Sequence, residues 1–564
     1  MTQDYLKACK QLIGQGKYHE AITGLEFILH LNPNLSAAYS NLAICYSNLK
    51  NWNKAITSIL NALGHGNNQY QDLEELLNIL EKSELKSYVP LLEKPLKLAM
   101  ELVKLEFRVI PLLWRQLISK HPKALSLASN SFTHAIDLLL QDEVFCKLIE
   151  RSLITDYFTE NLILISRQEI LSRAVEGDDI HAYLPFLSSL ACQTLLNDGL
   201  YSNTKQDRLY LNKILDNQNT TLEHFLLLIC HSSFEESLML WKKNQDLFKN
   251  DQFKSLTSDL QFYTDVSLSK NKGIINQKTS KLVQSFYMEN PYPKWKSVKV
   301  SNQVKTNETD ILFAGCGTGQ QLIDFAITHK MSHITAIDLS PTSIAYAELM
   351  TKKYDISNVN FILLDILDID TLGLRFDYIV CTGVLHHMAC PSDGLAALNK
   401  VLTDNGRMFL GFYSRAARKS LKNIKKNIMT FLKTDEEGIT RSGIKQWRSQ
   451  LTTENKANAW YQVSDFFYLN GLYDLLIHPQ QIEYSIPEIK ALLNKCNLSF
   501  VSMSPTIKNR EEFKLILAQN PTNKDKQTLD YWHKIELRYP EAFIYMYQFH
   551  VVKSPSSVLN NKRP

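Results

Sequence analysis

The feature that most constrains the fold is a series of five short apolar segments separated by helical patterns. They are Ile311–Ala314, Ile334–Ile337, Val359–Leu364, Tyr378–Cys381 and Met408–Phe412. Apolar runs of this length, alternating with helical ones, are typical of strands buried on both faces of a parallel sheet. The sequence therefore predicts an α/β region with helices on both faces of the sheet.

A glycine-rich turn, Gly315-Cys316-Gly317-Thr318-Gly319, follows the first of these strands. Glycine lets a ligand approach the main chain where a β-carbon would intrude. No Gly-Lys-Ser/Thr sequence is present to cradle a nucleoside triphosphate. A dinucleotide fold would place its third glycine one residue further along. Both of these nucleotide sites are excluded, while an ordinary strand-to-helix turn remains the alternative.

Two acidic residues follow the next two strands. Asp338 lies 19 residues after Gly319 (338 − 319) at the end of the second strand, and Asp365 ends the third. A carboxylate at the first position can accept hydrogen bonds from both hydroxyls of a ribose, and one at the second from an adenine amino group. The alternative for Asp338 is a helix cap before Ser340-Pro341, and both roles can coexist. The three strand ends together predict a nucleoside site at the carboxyl edge of the sheet.

As a set, these motifs resemble class I S-adenosylmethionine-dependent methyltransferases. The set also includes Phe376–Ile379 and Val384–Met388, and the resemblance runs from about 309 to 413. It implies S-adenosylmethionine as cofactor and a Rossmann-like fold. The residues that it places around the cofactor are Ala314, Gly315, Cys316, Gly317, Thr318, Gly319, Gln320, Asp338, Leu339, Ser340, Asp365, Ile366, Gly383 and Val384.

One position departs from the class. The class usually places an acid two residues before the first glycine, where it helps to orient the methionine end of the cofactor, and this chain has Phe313 there. Asp310 stands at the start of the strand and cannot substitute for it. We expect the cofactor's ammonium to depend on backbone carbonyls near Gly315 and Thr382–Val384.

Candidate residues for chemistry and for covering the pocket lie on either side of the glycine turn in sequence. His386 and His387, just past the fourth strand, are in range to accept a proton from an amine or hydroxyl, or they shape the cofactor wall. The segment Glu289–Trp295 contains two prolines and could lay Tyr287, Tyr292 or Trp295 over the pocket. The alternative is a linker packed on neighbouring helices. No metal site is predicted.

The amino terminus carries a repeat. Tyr18 and Trp52, Ala21 and Ala55, and Ile22 and Ile56 are each 34 residues apart. This period resembles the tetratricopeptide repeat, a helix-turn-helix unit that stacks into a superhelix. Two units can be identified. Because about three or more repeats are normally needed to bury a continuous apolar face, we expect these two to pack against the helices that follow. Such repeats hold peptides in a groove, or serve only for packing.

The whole chain is similar to bacterial proteins that join tetratricopeptide repeats to such a methyltransferase domain, with Glu289–Trp295, Asp465–Tyr468 and Phe543–Phe549 at corresponding places. We therefore expect a multidomain protein with an α-helical solenoid followed by the α/β sheet. The expected divisions are 1–70 (repeats), 71–270 (helical platform), 271–308 (Pro-aromatic linker), 309–420 (cofactor half), 421–480 (insertion) and 481–564 (completion of the sheet).

The insertion is the place where we expect acceptor selection. Its candidates are Tyr468, Tyr473, His478 and Glu483. A basic stretch from Arg415 to Lys426 could hold a phosphate or an acidic partner, and without interleaved aromatic residues a solvated helix face is favoured. Leu498–Met503 and Phe543–Val552 are predicted to be the last strands.

Composition limits the remaining classes. Lys plus Arg is 62 and Asp plus Glu is 58, so the net charge of +4 indicates no nucleic-acid partner. Nine scattered cysteines without a Cys-x-x-Cys pair are typical of reduced thiols in the cytoplasm. The sequence predicts neither a secretory signal nor a membrane span. It does not indicate an oligomeric state.

These observations predict a methyltransferase that uses S-adenosylmethionine. Its acceptor is a protein or peptide presented by the repeat region, or else a small molecule or glycan. A third hypothesis is an interaction scaffold whose methyltransferase-like domain only senses cofactor, and Phe313 is the feature that favours it.

Overall fold

The computed structural model describes residues 2–66, 69–83, 92, 94–96, 98, 137, 139–216, 221–268, 278–298, 308–451, 459–504, 528–539, 543, 544 and 546–554. The chain forms two compact units. One comprises residues 1–195, 203–256 and 296–299, and the other comprises 196–202, 257–295 and 300–564. Much of the predicted helical platform between residues 84 and 136, and Tyr545 of the last predicted strand, lie outside the described residues.

The first part of the chain is helical. Its helices are α1 (Thr2–Gly14), α2 (Tyr18–Leu31), α3 (Ser36–Asn48), α4 (Trp52–His65), α5 (Gln69–Lys82), α6 (Glu143–Arg151), α7 (Tyr157–Glu176), α8 (Leu184–Leu196), α9 (Lys205–Asp216), α10 (Leu222–His231), α11 (Phe234–Lys243) and α12 (Lys254–Leu268). Side-chain caps define several starts, as where Asp156 accepts a hydrogen bond from the Thr159 amide at 2.8 Å.

Helices α1 to α5 pack each against the next along the chain. The helix starts Tyr18 and Trp52 are 34 residues apart, and the equivalent alanines Ala21 and Ala55 are fully buried. A small side chain at these positions lets neighbouring helices approach closely. The helical character of this region is confirmed, while its assignment as tetratricopeptide repeats stays a prediction.

The second unit contains a seven-stranded sheet. Its strands are β1 (Asp310–Ala314), β2 (His333–Asp338), β3 (Val359–Leu363), β4 (Phe376–Thr382), β5 (Leu402–Phe412), β6 (Leu498–Met503) and β7 (Tyr547–Lys553). Their order across the sheet is β3-β2-β1-β4-β5-β7-β6. Each of the seven predicted strand segments overlaps one of these strands, although Phe543 and Ile544 of the last segment precede β7, and this confirms the Rossmann-like interpretation at the level of the sheet.

The sheet is mixed rather than wholly parallel. Strands β1 to β5 pair in parallel, whereas β7 runs antiparallel to both β5 and β6. Strand direction depends on how the connecting segments cross the sheet, and hydrophobic patterning does not contain that information. The parallel arrangement predicted for the first five strands is confirmed for β1 to β5, and no direction was predicted for the last two strands.

Helices precede, separate and follow the strands along the chain. They are α13 (Lys278–Glu289), α14 (Gln320–Thr328), α15 (Pro341–Lys353), α16 (Pro391–Val401), α17 (Arg415–Leu432), α18 (Arg441–Arg448), α19 (Leu469–Ile477), α20 (Ile486–Lys495) and α21 (Leu529–Arg538). Consecutive residues of a strand point to opposite faces of the sheet. Leu312 and Phe313 accordingly belong to two separate buried apolar clusters. The sheet is thus buried on both faces, which leaves its strand ends to bind ligands. Within the described residues, no helix combines the length and the apolar character needed to cross a membrane.

Candidate active site

The glycine turn after β1 is a main-chain cradle. Gly315 and Gly317 have φ angles of 78° and 53°, in the left-handed region that disfavours side chains. A β-carbon on Gly315 would lie 2.3 Å from a methyl carbon of Val384, and one on Gly317 would lie 2.8 Å from the Tyr292 carbonyl oxygen. Both glycines are therefore required by backbone conformation and by close packing, as a cradle for a ligand demands.

Asp338 ties the glycine turn to the end of β2. One of its carboxylate oxygens accepts the Gly317 amide at 2.7 Å, and the other accepts the Ser340 amide at 2.8 Å. Burial raises the pKa of this carboxyl group, although the backbone amides that it accepts act in the opposite direction. The cap of α15 is Ser340, whose hydroxyl accepts the Ser343 amide, so Asp338 does not itself cap the helix.

Asp365 ends the loop after β3 and is also buried. One oxygen accepts the Leu367 amide at 3.0 Å, and the other accepts the Ser280 hydroxyl at 2.5 Å. Ser280 lies near the start of α13, so this helix meets the carboxylate that is predicted to bind adenine. Sequence reasoning did not identify Ser280.

One cavity of about 380 Å³ joins these strand ends. Of the residues predicted to surround the cofactor or cover it, the lining includes Gly315, Cys316, Gly317, Gln320, Asp338, Leu339, Asp365, Ile366, Gly383, Val384, Tyr287 and Tyr292. Ala314, Thr318, Gly319 and Ser340 are not part of the lining. Thr318 instead donates its hydroxyl hydrogen bond to the Pro293 carbonyl at 2.6 Å and supports the turn from behind.

Trp295 does not cover the cavity, contrary to expectation. It is 4% exposed, and its indole N–H donates to the Thr318 hydroxyl at 3.1 Å. Its backbone carbonyl accepts the Tyr346 hydroxyl at 2.6 Å. Buried indole groups need a hydrogen-bond partner. This tryptophan therefore secures the segment that carries Tyr292, which does line the cavity.

Phe313 closes the end of β1 with an apolar ring. It lines the cavity, is 3% exposed and contacts Phe325 edge-on, with ring centroids 5.4 Å apart. Asp310 is exposed at the opposite end of the strand. No carboxylate from β1 therefore reaches the cavity.

Two carboxylates, of which Asp474 is buried and Asp465 partly buried, and four tyrosines form a second part of the site. We call Tyr287, Tyr292, Tyr413, Tyr468, Asp465 and Asp474 the carboxylate–tyrosine cluster. Tyr287 donates to Asp474 at 2.7 Å, and Tyr468 donates to Asp465 at 3.1 Å. Tyr292 lies 3.3 Å from both oxygens of Asp465. All members except Tyr468 line the cavity.

The carboxyl groups of this cluster have unusual pKa values. Burial raises the pKa of Asp465 to about 6, and hydrogen bonds from Tyr468 and Tyr292 oppose the shift. Burial, together with the negative charge of Asp465, raises the pKa of Asp474 to about 7. Groups with such values in a cavity are candidates for proton transfer.

Sequence analysis noted Asp465 only within the family resemblance and did not name Asp474. The available signal for Asp474 was an isolated acid within the apolar segment Leu472–Ile477. The expected acceptor residues Tyr468, Tyr473, His478 and Glu483 do not line the cavity. Tyr473 donates instead to the Ile439 carbonyl, and Glu483 pairs with Lys422 at 3.1 Å. These side chains support the wall from outside.

The basic stretch of α17 has one buried member. Arg418 is 2% exposed, whereas the side chain of Lys422 is 66% exposed. The Arg418 guanidinium carbon lies 3.8 Å from the centroid of the Tyr413 ring, and the side chain donates to the Leu475 carbonyl and Gln481. The solvated-face interpretation is therefore wrong for Arg418, which lines the cavity. Its cation–π contact compensates part of its desolvation.

Of the two predicted histidines, only His387 lines the cavity. His386 is fully buried with its ring centroid 3.7 Å from that of Tyr413, so a catalytic role for it is not supported by its position. Burial lowers the pKa of His387 to about 4, which keeps this imidazole neutral near pH 7.

Gln480 sets the tautomers of two stacked imidazoles. Its backbone carbonyl lies 2.7 Å from Nδ1 of His387, which must donate, and its backbone N–H donates to Nδ1 of His478 at 3.1 Å. The Nε2 atom of His387 therefore has a lone pair, and that of His478 carries a proton. These histidines and Asp474 have polar atoms within 4.8 Å of one another. Because only one of the two outer nitrogens has a lone pair, this trio does not suit a metal ion.

Comparison with known proteins identifies the domain. A family model described as a methyltransferase domain matches residues 305–464. The chain carries a class I S-adenosylmethionine-dependent methyltransferase domain. An uncharacterized protein of Synechococcus sp. is 29% identical over 258 residues, which are 43% of this chain and 60% of that protein. A ubiquinone biosynthesis O-methyltransferase of Xylella fastidiosa is 31% identical over 117 residues, which are 21% of this chain and 46% of the relative.

Among solved structures, PKMT2 from Rickettsia typhi in complex with AdoHcy matches with a TM-score of 0.33 at 18% identity, covering 48% of this chain and 52% of that chain. The chain thus spans about three fifths or less of the length of these relatives. The cofactor of the methyltransferase domain is S-adenosylmethionine, and the residues present fit it. A β-carbon at Gly315 or Gly317 would clash with Val384 or Tyr292 in the lining of this cavity, and the partly buried Asp338 and the buried Asp365 line it as well.

Proposed function

We propose that this protein transfers a methyl group from S-adenosylmethionine to an amine of a protein or peptide. The observation that supports this most directly is one cavity lined both by the cofactor cradle and by the carboxylate–tyrosine cluster. An acceptor held among these tyrosines and carboxylates would share a single enclosed space with the cofactor. Alignment of two reactants in such a space supplies much of a transferase's rate enhancement.

The chain's own residues would hold the cofactor at three strand ends. Asp338 would accept hydrogen bonds from the ribose hydroxyls, and Asp365 from the adenine amino group. When bound, the cofactor supplies a methyl group already activated on a sulfonium. Phe313 would give the methionine end an apolar contact, so its ammonium would depend on backbone carbonyls. The remaining work of the protein is to position the acceptor and exclude water.

The second part of the cavity suits a cationic acceptor. Aromatic faces of Tyr287, Tyr292 and Tyr413 attract a cation, and the carboxyls of Asp465 and Asp474 add opposite charge when ionised. Arg418 also lines the cavity, where its guanidinium contacts the face of the Tyr413 ring and donates to the Leu475 carbonyl. An amine meets these conditions better than a phosphate or carboxylate, which the two acids would repel.

Recruitment of a protein acceptor by the amino-terminal helices is part of the proposal. Helix pairs with the 34-residue spacing of tetratricopeptide repeats support it. We also propose a cytoplasmic location, consistent with nine cysteines that are all free of disulfides. One observation favours a second function, a domain that senses cofactor without transfer: Phe313 removes the carboxylate that usually orients the methionine end.

Two measurements separate these functions. Titration calorimetry with S-adenosylhomocysteine should give a single binding event, and absence of heat contradicts both functions. Incubation with tritium-labelled S-adenosylmethionine and a dialysed bacterial lysate should label protein bands. Label in the small-molecule or glycan fraction alone contradicts the protein acceptor. Binding without any label supports the cofactor-sensing function.

A further inference from the structure

The environment of Asp474 is not explained by cofactor binding. This residue lies on α19, is 3% exposed and lines the cavity. The Tyr287 hydroxyl donates to its Oδ1 atom at 2.7 Å, and Tyr413 lines the same cavity. A buried carboxyl that is oriented by the Tyr287 hydroxyl and lines a reaction cavity is positioned to exchange a proton with a ligand.

Groups on several elements control the charge of this carboxyl. Asp465 opposes its ionisation, whereas Arg418 on α17 and the hydroxyls of Tyr287 and Tyr413 favour it. The neighbouring His387 and His478 rings are neutral because burial lowers the pKa of both. Burial outweighs the favourable contacts, and the pKa of Asp474 rises to about 7. The group therefore changes charge near neutral pH, where a proton acceptor is most effective.

The other candidates in the cavity are less suitable. The lone pair of His387 Nε2 is buried and has no hydrogen-bond partner among the described residues. The pKa of His387 is nevertheless lowered to about 4, so it binds a proton far more weakly than Asp474. Both oxygens of Asp465 already lie within hydrogen-bond distance of tyrosine hydroxyls, one oxygen from Tyr468 and both from Tyr292, so Asp465 is less available to a ligand than Asp474.

We propose that Asp474 is the proton acceptor for the methyl acceptor, a role that rests on the proposed amine methylation. Its carboxylate takes one proton from the substrate ammonium, which leaves a neutral amine with a free electron pair. That pair forms the nitrogen–carbon bond as the sulfur–carbon bond breaks, and the electrons of the broken bond stay on sulfur. The positive charge passes to the methylated nitrogen, and Asp474 then releases its proton to solvent as product leaves.

The raised proton affinity of Asp474 makes this step feasible. A lysine-type amine has a pKa of about 10.4 and an ordinary aspartate about 3.9, so an unperturbed carboxylate would be a very weak acceptor. The environment of Asp474 raises its pKa to about 7, which removes about half of the pKa difference between the amine and the carboxyl group. The aromatic rings and Asp465 then retain the positive charge that returns to the nitrogen after transfer.

The first test observes the proton directly. Infrared difference spectra of the S-adenosylhomocysteine complex, recorded from pH 5 to 9, should show protonated-carboxyl signal lost in two steps, one near pH 6 from Asp465 and one near pH 7 from Asp474. Asp474→Asn should remove the step near pH 7, Asp465→Asn should remove the other step and move that of Asp474 to lower pH, and the exposed control Asp370→Asn should leave both unchanged. An identical step near pH 7 in Asp474→Asn would overturn the proposal without reference to turnover.

The second test uses labelled lysate protein as the acceptor pool. Wild-type initial rates should rise with pH and level off above about 7. Asp474→Asn should label about 100-fold more slowly and lose that inflection, while binding S-adenosylhomocysteine as the wild type does. A wild-type pH profile in Asp474→Asn overturns the base assignment alone. A wild type that binds S-adenosylhomocysteine and labels nothing overturns the proposed function, and the base role with it.

Discussion

The backbone N–H of Gly317 donates to the carboxylate of Asp338 across 2.7 Å, which joins the turn after β1 to the end of β2. The same carboxylate accepts the Ser340 amide at 2.8 Å. One side chain thus fixes the main chain on both sides of the cofactor cradle. Its loss should affect binding and local stability together.

We expect Asp338→Asn to weaken S-adenosylhomocysteine binding by 10-fold or more. An amide side chain has one acceptor oxygen, so one backbone N–H loses its partner, and a charge-assisted bond to the ribose is lost as well. Each such loss costs about 1–3 kcal/mol. Calorimetric titration measures the change. An unchanged dissociation constant would contradict the assignment of the ribose site.

Gly317→Ala should unfold at lower denaturant concentration than the wild type and bind S-adenosylhomocysteine poorly. Its β-carbon would meet the Tyr292 carbonyl oxygen at 2.8 Å in addition to the strain of a φ angle of 53°. Gly373→Ala is the matched control, since Gly373 has a φ angle of 64° and open space around it. The control should lose only about 1 kcal/mol and retain binding. Equal effects from both variants would contradict a role for close packing.

Ser280→Ala should strengthen S-adenosylhomocysteine binding by about two- to five-fold. The Ser280 hydroxyl occupies an oxygen of Asp365 at 2.5 Å, and a typical net hydrogen bond is about 1 kcal/mol. Removing it frees that oxygen for the adenine amino group. Titration against Asp365→Asn, which should bind more weakly, checks the interpretation. Weaker binding by Ser280→Ala would indicate instead that the hydroxyl contributes to the adenine site.

Phe313→Leu should preserve S-adenosylhomocysteine affinity within a few-fold, whereas Phe313→Asp should destabilise the protein by about 3 kcal/mol or more. The ring is packed against Phe325 and the apolar cluster on that face of the sheet. A charge placed there lacks a partner, which costs several kcal/mol. Denaturant unfolding and titration measure the two effects. A stable Phe313→Asp with tighter binding would show that the position tolerates the usual acid.

The pH dependence of stability should become flatter in Asp474→Asn. Because the pKa of the folded-state carboxyl is raised to about 7, its protonated form stabilises the fold at pH 4 and this contribution is lost as pH rises to 7. The loss is at most about 4 kcal/mol for a shift of roughly three pH units. Unfolding free energies of both proteins between pH 4 and 8 test this. If the unfolding free energies of the wild type and of Asp474→Asn changed with pH in parallel, Asp474 would be ionised throughout this range.

The α/β region could be predicted because its information is local. Five apolar segments and a glycine turn specified the order of strands and helices, and Asp338 and Asp365 followed from their positions at strand ends. The antiparallel direction of β7 could not be predicted, since it depends on connections through residues distant in sequence. Phe313 was identified correctly as a departure, and the structure adds that it packs against Phe325.

The second half of the cavity depended on tertiary structure. Asp474 and Tyr287 are 187 residues apart, yet they are joined by a 2.7 Å hydrogen bond. Trp295 and His386 had suitable residue types and positions in sequence, but packing placed them outside the cavity lining. The sequence by itself determined the strands, the cofactor cradle and its acids, because backbone conformation and strand position act over a few residues. Tertiary structure alone decided which carboxyls are buried together, because burial and charge proximity, which set their pKa values, arise only when distant segments meet.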